Sequence, residues 1–166
     1  MQFTLFTTLS LLLTLPLTSS TPLPLHLHPR AGGPAIKSIP PTCTITNPLS
    51  NLTSPTSSNA TTATWAPLDS TRASQVYAYY LPEPYWQNAS TVWAQCLQQC
   101  YGYGNTGDCR AAVMAYDVPA PSLHGAPAGQ LEIACLMFGR AIGEADFGRP
   151  RSEGTWTDLR AGVIEC

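Results

Sequence analysis

Residues 88–109, NASTVWAQCLQQCYGYGNTGDC, decide the fold. Val92, Trp93, Cys96, Leu97 and Cys100 recur at steps of three and four, the period of a helix with one apolar stripe. Asn88 or Ser90 can cap its first turn, so the spacing predicts a helix over 88–100. Tyr101-Gly-Tyr103-Gly-Asn-Thr-Gly-Asp108 then ends it, because three glycines in eight residues favour tight turns over continued helix. Cys96 and Cys100 stand at i and i+4, so both side chains leave the same helical face about one turn apart. Their Cβ vectors run nearly parallel, an awkward arrangement for a bond between them. Each therefore staples the helix to something else. Cys109 returns after the glycine turn, within reach of Cys100.

Working toward the C-terminus, two strands are predicted, Arg110 to Val118 and Leu131 to Phe138, joined by a Pro-, Ala- and Gly-rich loop over Pro119 to Gly129. Leu131, Ile133, Cys135 and Met137 alternate onto one face, which sets Cys135 mid-strand on the sheet that the helix must cover. A short strand from Val163 to Cys166 comes last. Working the other way, Gln75 to Leu81 alternates between two faces and is bounded by Pro82 and Pro84, another strand. One face of its tyrosines, with Trp93, is expected in the core. Strands flanking a single helix imply an α+β domain with an antiparallel sheet.

The first twenty residues, MQFTLFTTLSLLLTLPLTSS, hold an uncharged apolar run from Phe3 to Leu17 followed by small polar residues, the layout of a secretory signal peptide over 1–20. The run is too short to span a bilayer, which takes about 20 mostly apolar residues. Residues 21–42 intersperse Pro with apolar and Gly pieces and read as a flexible leader. Pro48 to Thr64 is almost wholly Ser, Thr, Asn and Pro and reads as a mobile loop. It carries Asn51-Leu-Thr53 and Asn59-Ala-Thr61, which with Asn88-Ala-Ser90 are three glycosylation acceptors by pattern. Charged residues are 11 % of the chain and the net charge is -2, so no basic stripe exists for a phosphate backbone and a nucleic-acid partner is excluded. No further long apolar segment argues for membrane insertion, and a monomer is expected.

Six cysteines, Cys43, Cys96, Cys100, Cys109, Cys135 and Cys166, form an even set outside the apolar leader, and in a secreted chain they read as disulfides. A zinc site would want short paired spacings such as C-x2-C, which are absent, so no metal or other cofactor is expected. The order along the chain is a leading cysteine, Trp93-Ala-Gln-Cys96-Leu-Gln-Gln-Cys100, Cys109-Arg-Ala-Ala-Val-Met-Ala-Tyr116-Asp, then Cys135-Leu-Met-Phe138 and a terminal cysteine. This order resembles the PAN/Apple-like domain of secreted proteins, in the form of a small cysteine-rich protein of fungal type. The resemblance spans residues 76–166, and Cys43 by position. It implies bridges Cys43 to Cys166, Cys96 to Cys135 and Cys100 to Cys109, and a curled antiparallel sheet packed on one helix. The resulting domain occupies 43–166. Hydrophobin and eight-cysteine patterns both demand more cysteines than the chain has.

Catalytic motifs are missing: neither a Gly-x-Ser-x-Gly elbow nor H-E-x-x-H occurs. His26 and His28 fall in the Pro-rich leader and His124 in a Pro/Gly loop, where solvated surface roles are expected. Glu144 and Asp146 are close enough in sequence to be weighed as a glycosidase pair and are expected instead as solvated loop carboxylates. Asp117 is expected to accept backbone hydrogen bonds in a turn. Aromatic side chains on loops are better placed, because they stack on sugar faces or anchor a protein. Tyr85, Trp86, Tyr101 and Tyr103 are the candidates. The expected function is a non-enzymatic extracellular module that binds carbohydrate or protein, as the PAN/Apple resemblance implies. The alternative is a structural or effector-like glycoprotein of the cell wall or host interface.

Overall fold

A computed structural model describes residues 33–50, 65–82, 88–122, 127–150 and 156–166. The apolar leader, most of the Ser/Thr-rich stretch with Asn51 and Asn59, Tyr85, Trp86 and the three histidines lie outside them.

Five strands form one antiparallel sheet: β1 (Thr44–Thr46), β3 (Gln75–Pro82), β4 (Ala111–Pro119), β5 (Leu131–Phe138) and β7 (Thr157–Glu165), in the order β1-β7-β4-β5-β3. A second, two-stranded ribbon pairs β2 (Ala66–Pro67) with β6 (Phe147–Gly148), Pro67 opposite Phe147. Between β2 and β3 runs the single-turn helix α1 (Asp69–Arg72), and between β3 and β4 the helix α2 (Ala89–Tyr101). No helix among the described residues is long and apolar enough to cross a membrane. The α+β class and the antiparallel sheet are thus as the periodicity predicts.

Helix α2 forms for the reasons its sequence gives. Asn88 is its N-cap, the side chain accepting from the Ser90 N–H at 2.8 Å, and Val92, Cys96, Leu97 and Cys100 are buried along its inner stripe. Its end at Gly102 has a further cause. A Cβ there would sit 2.0 Å from the Ala35 carbonyl oxygen, so only glycine admits the backbone of residues 35–37 against the helix. The Lys37 N–H donates to the Gln98 carbonyl at 3.2 Å, and Ile39 packs against the core beneath. The domain's packing therefore begins before Cys43, within the stretch read from composition as a leader.

The three cysteine pairs are bonded as Cys43–Cys166, Cys96–Cys135 and Cys100–Cys109, closing sequence intervals of 123, 39 and 9 residues. These are the pairs that the family resemblance implies. Cys96, Cys100 and Cys135 are fully buried, and Cα–Cα distances of 5.8 and 5.2 Å across the two bridges to α2 hold the helix on the sheet.

Alternation divides the sheet's side chains between two cores. Ala112, Met114, Ile133, Cys135, Met137 and Ile164 meet α2. The opposite face buries Ala111, Val113, Ala134, Leu136, Phe138 and Val163. It is covered without a long helix, by Leu49, Ala66, Ile142, Phe147 and Trp156 from loops and the β2–β6 ribbon. Burying a side chain of this size contributes about 1.5–3 kcal/mol. The second core is thus comparable to the first, and the central strands are buried on both faces, not on one. The C-terminal strand begins at Thr157, six residues before the predicted start, because its first half is exposed and polar and lacks alternation.

Candidate functional site

The tyrosines are placed first by packing. Tyr77 and Tyr79 pack with the α2-side core, and burial, reinforced by Tyr77, pushes the Tyr79 phenol up to about 12. Tyr103 donates its hydroxyl to the Val76 carbonyl at 3.1 Å and sets its ring 6.1 Å from that of Tyr77. Tyr101 is half-buried, with the Lys37 ammonium 5.1 Å from its ring centre. Tyr101 and Tyr103 thus lie side by side at the C-terminal end of α2, joined to the strand and to the incoming chain. Tyr85 and Trp86 fall outside the described residues. Asn88 is exposed, and the bond to Ser90 uses its side-chain oxygen, so its amide nitrogen takes no part in that bond.

Glu144 is exposed in the turn at 144–146, whereas Asp146 and Asp117 differ from their expected roles. Asp146 is not a solvated loop carboxylate: it accepts from the Arg140 guanidinium, from the Gly143 N–H at 2.8 Å and from the Thr71 hydroxyl at 2.9 Å. The Arg140 hydrogen bond, aided by those from Gly143 and Thr71, holds its carboxyl down at about 2. A carboxylate so matched is a poor proton donor and a good tie. It fastens α1 to the turn at 144–146, and the Asp146 carbonyl takes the Leu68 N–H at 2.9 Å. Asp117 also departs from expectation. It sits inside β4 with φ at +54°, where the pairing register shifts, and its carboxylate accepts from the Thr157 hydroxyl of β7 at 2.6 Å.

That tie shapes a feature the sequence reading missed. An open cleft of about 430 Å3 lies between the segment Ala66–Arg72 and the pair Arg149 and Trp156, and two of its lining residues, Ala66 and Trp156, belong to the second core. Trp156 is only 4 % exposed, and the Arg72 guanidinium lies 5.3 Å from its ring centre. Two features mark this tryptophan. Its φ of +42° lies in the left-handed region, uncommon for a bulky residue, and its indole N–H is buried without a hydrogen-bond partner among the described residues. Strain of this kind persists only where the surroundings over-determine it.

Arg72 and Arg149 are both exposed, and the ion pairs among the described residues, Arg140–Asp146 and Arg160–Asp158, leave both out. Asp69, Ser70, Pro67 and Leu68 complete the rim. Burial raises the Tyr80 phenol, Arg72 opposes the rise and Glu132 adds to it.

The cleft escaped the sequence reading because it is assembled from 66–72, 149–150 and 156, stretches without periodicity. One signal was available: Trp156 is a large aromatic residue set in a polar stretch outside every periodic run. No protein-family model matches the chain, and neither the curated proteins nor the solved structures compared with it give a match.

Proposed function

We propose that this chain is a secreted, glycosylated, non-enzymatic binding module of PAN/Apple-like type, and that its ligand seat is the cleft at Arg72, Arg149 and Trp156. The observation that carries this is the cleft itself. It combines exposed cations outside the ion pairs of the described residues with a strained, buried tryptophan, and the Asp146 tie holds the wall that carries Leu68 and Thr71. Polar groups left unmatched on a rigid scaffold fit recognition of a ligand. Secretion is supported by the apolar leader over 3–17 and by three disulfides, which persist in oxidising compartments. The pairing of the cysteines supports the PAN/Apple-like reading. Against catalysis stands Asp146, whose carboxylate is committed to Arg140 and Thr71.

Retention of the purified glycoprotein on immobilised polysaccharides and on extracellular protein fractions tests the proposal. Retention that weakens when Arg72 and Arg149 are both changed to Ala supports it. Retention on neither material sinks it in favour of a structural role.

A further inference from the structure

If the chain is a binding module, the chemistry of its cleft narrows the ligand to one class. Trp156 is buried with the Arg72 guanidinium 5.3 Å from its ring centre, so its indole face is covered by a cation and is not offered to a peptide anchor of the kind that dominates protein interfaces. The rim is what a ligand meets. Arg72 and Arg149 offer planar forks of N–H donors suited to a carboxylate, while Asp69 and Ser70 carry oxygens suited to hydroxyl groups. Pro67 and Leu68, the latter 37 % exposed, add a short apolar ledge. Acid, hydroxyls and a C–H face in one compact unit describe a uronic-acid sugar.

We propose that the cleft binds an acidic saccharide, its carboxylate taken by Arg72 and Arg149 and its hydroxyls by Asp69 and Ser70. Among the residues that line the cleft two are cations, Arg72 and Arg149, and one is an acid, Asp69, so the lining carries one net positive charge. The cations sit at the surface, so the attraction is screened by salt.

A matched pair of probes isolates the carboxylate. Trigalacturonate and the neutral galactose trimer share a ring configuration and differ in a carboxylate against a hydroxymethyl group. Titration of the intact glycoprotein, followed by calorimetry and by tryptophan emission, should show the acidic trimer binding at least about tenfold tighter, a difference of about 1.4 kcal/mol. The preference should shrink as ionic strength rises from about 0.02 to about 0.15 M, where screening acts within ~8 Å. Arg149→Gln and Arg72→Gln should each remove most of the preference for the acidic trimer. Arg149 lies off the Trp156 ring, so its variant keeps the test open should Arg72→Gln fail to fold. Equal affinity for the two trimers, indifference to both substitutions, or equal competition by an acidic tripeptide would overturn the assignment. Neutral-sugar binding alone would overturn it while leaving the binding module intact; retention on no polysaccharide and no protein would remove both.

Discussion

Under α2 the sheet is held by covalent bonds, and on its other side by side chains alone. Cys96, Cys100, Cys109 and Cys135 all belong to the helix-side core, and Cys43 packs against it; the core on the opposite face contains no cysteine among the described residues. The two faces bury comparable apolar residues, so bulk hydrophobicity does not separate them. What separates them is how the cover is fixed. A 13-residue helix brings its own hydrogen bonds and needs only to be pinned. A cover made of loops and a two-residue ribbon must be tied polar group by polar group, which Asp146 does through Arg140, Gly143 and Thr71. The cleft belongs to the tied face.

The largest expected effect comes from the longest bridge. On the chain-entropy model, removing Cys43–Cys166 by serine substitution of both residues costs about 5 kcal/mol, since the bond spans 123 residues. Urea unfolding measures this loss, and amide exchange locates it. Protection should fall first in β1, β7 and α2; earlier loss around Ala66 and Phe147 would break the contrast between the faces.

Next comes Phe138→Ala, which empties a fully buried site on the unbridged face and costs about 4 kcal/mol with all disulfides intact. A loss below about 1 kcal/mol would show the second core to be loosely packed. Smallest is the acid dependence of the Asp146 tie. Its carboxyl is depressed in the fold from an ordinary 3.8 to about 2, so the contribution is complete above pH 3.8 and disappears as pH falls through 2. Melting temperature should decline over that window, by little because Arg140 is largely exposed, and Asp146→Asn should flatten the decline.

The sequence carried the elements whose period repeats. β3, α2, β4 and β5 show alternation or three-and-four spacing over at least eight residues, and their bounds were legible to within about one residue. β1, β2, β6 and α1 have two to four residues each, too few to display any period, and they form only because the sheet is there to receive them. The second core was hidden for a related reason. Ala134, Leu136 and Phe138 alternate with the residues read as the buried set, but nothing local says that loops will cover them. Asp117 was read as a turn residue because Asp favours turns. Its positive φ is a bulge inside a strand, and the difference is made by Thr157, forty residues away.

The strand order bears on how the chain is made. β7 lies between β1 and β4, although β1 is the first of the described strands and β7 the last. During synthesis β4 and β5 emerge as neighbours and can form a hairpin early, yet the β4 edge, AAVMAYDVP, stays bare until β7 arrives. An apolar unpaired edge of that length is a template for intermolecular pairing. Recombinant yield should therefore depend on keeping that edge apart from its copies until β7 has emerged, through slow expression and an oxidising folding compartment, more than on any later property of the finished sheet.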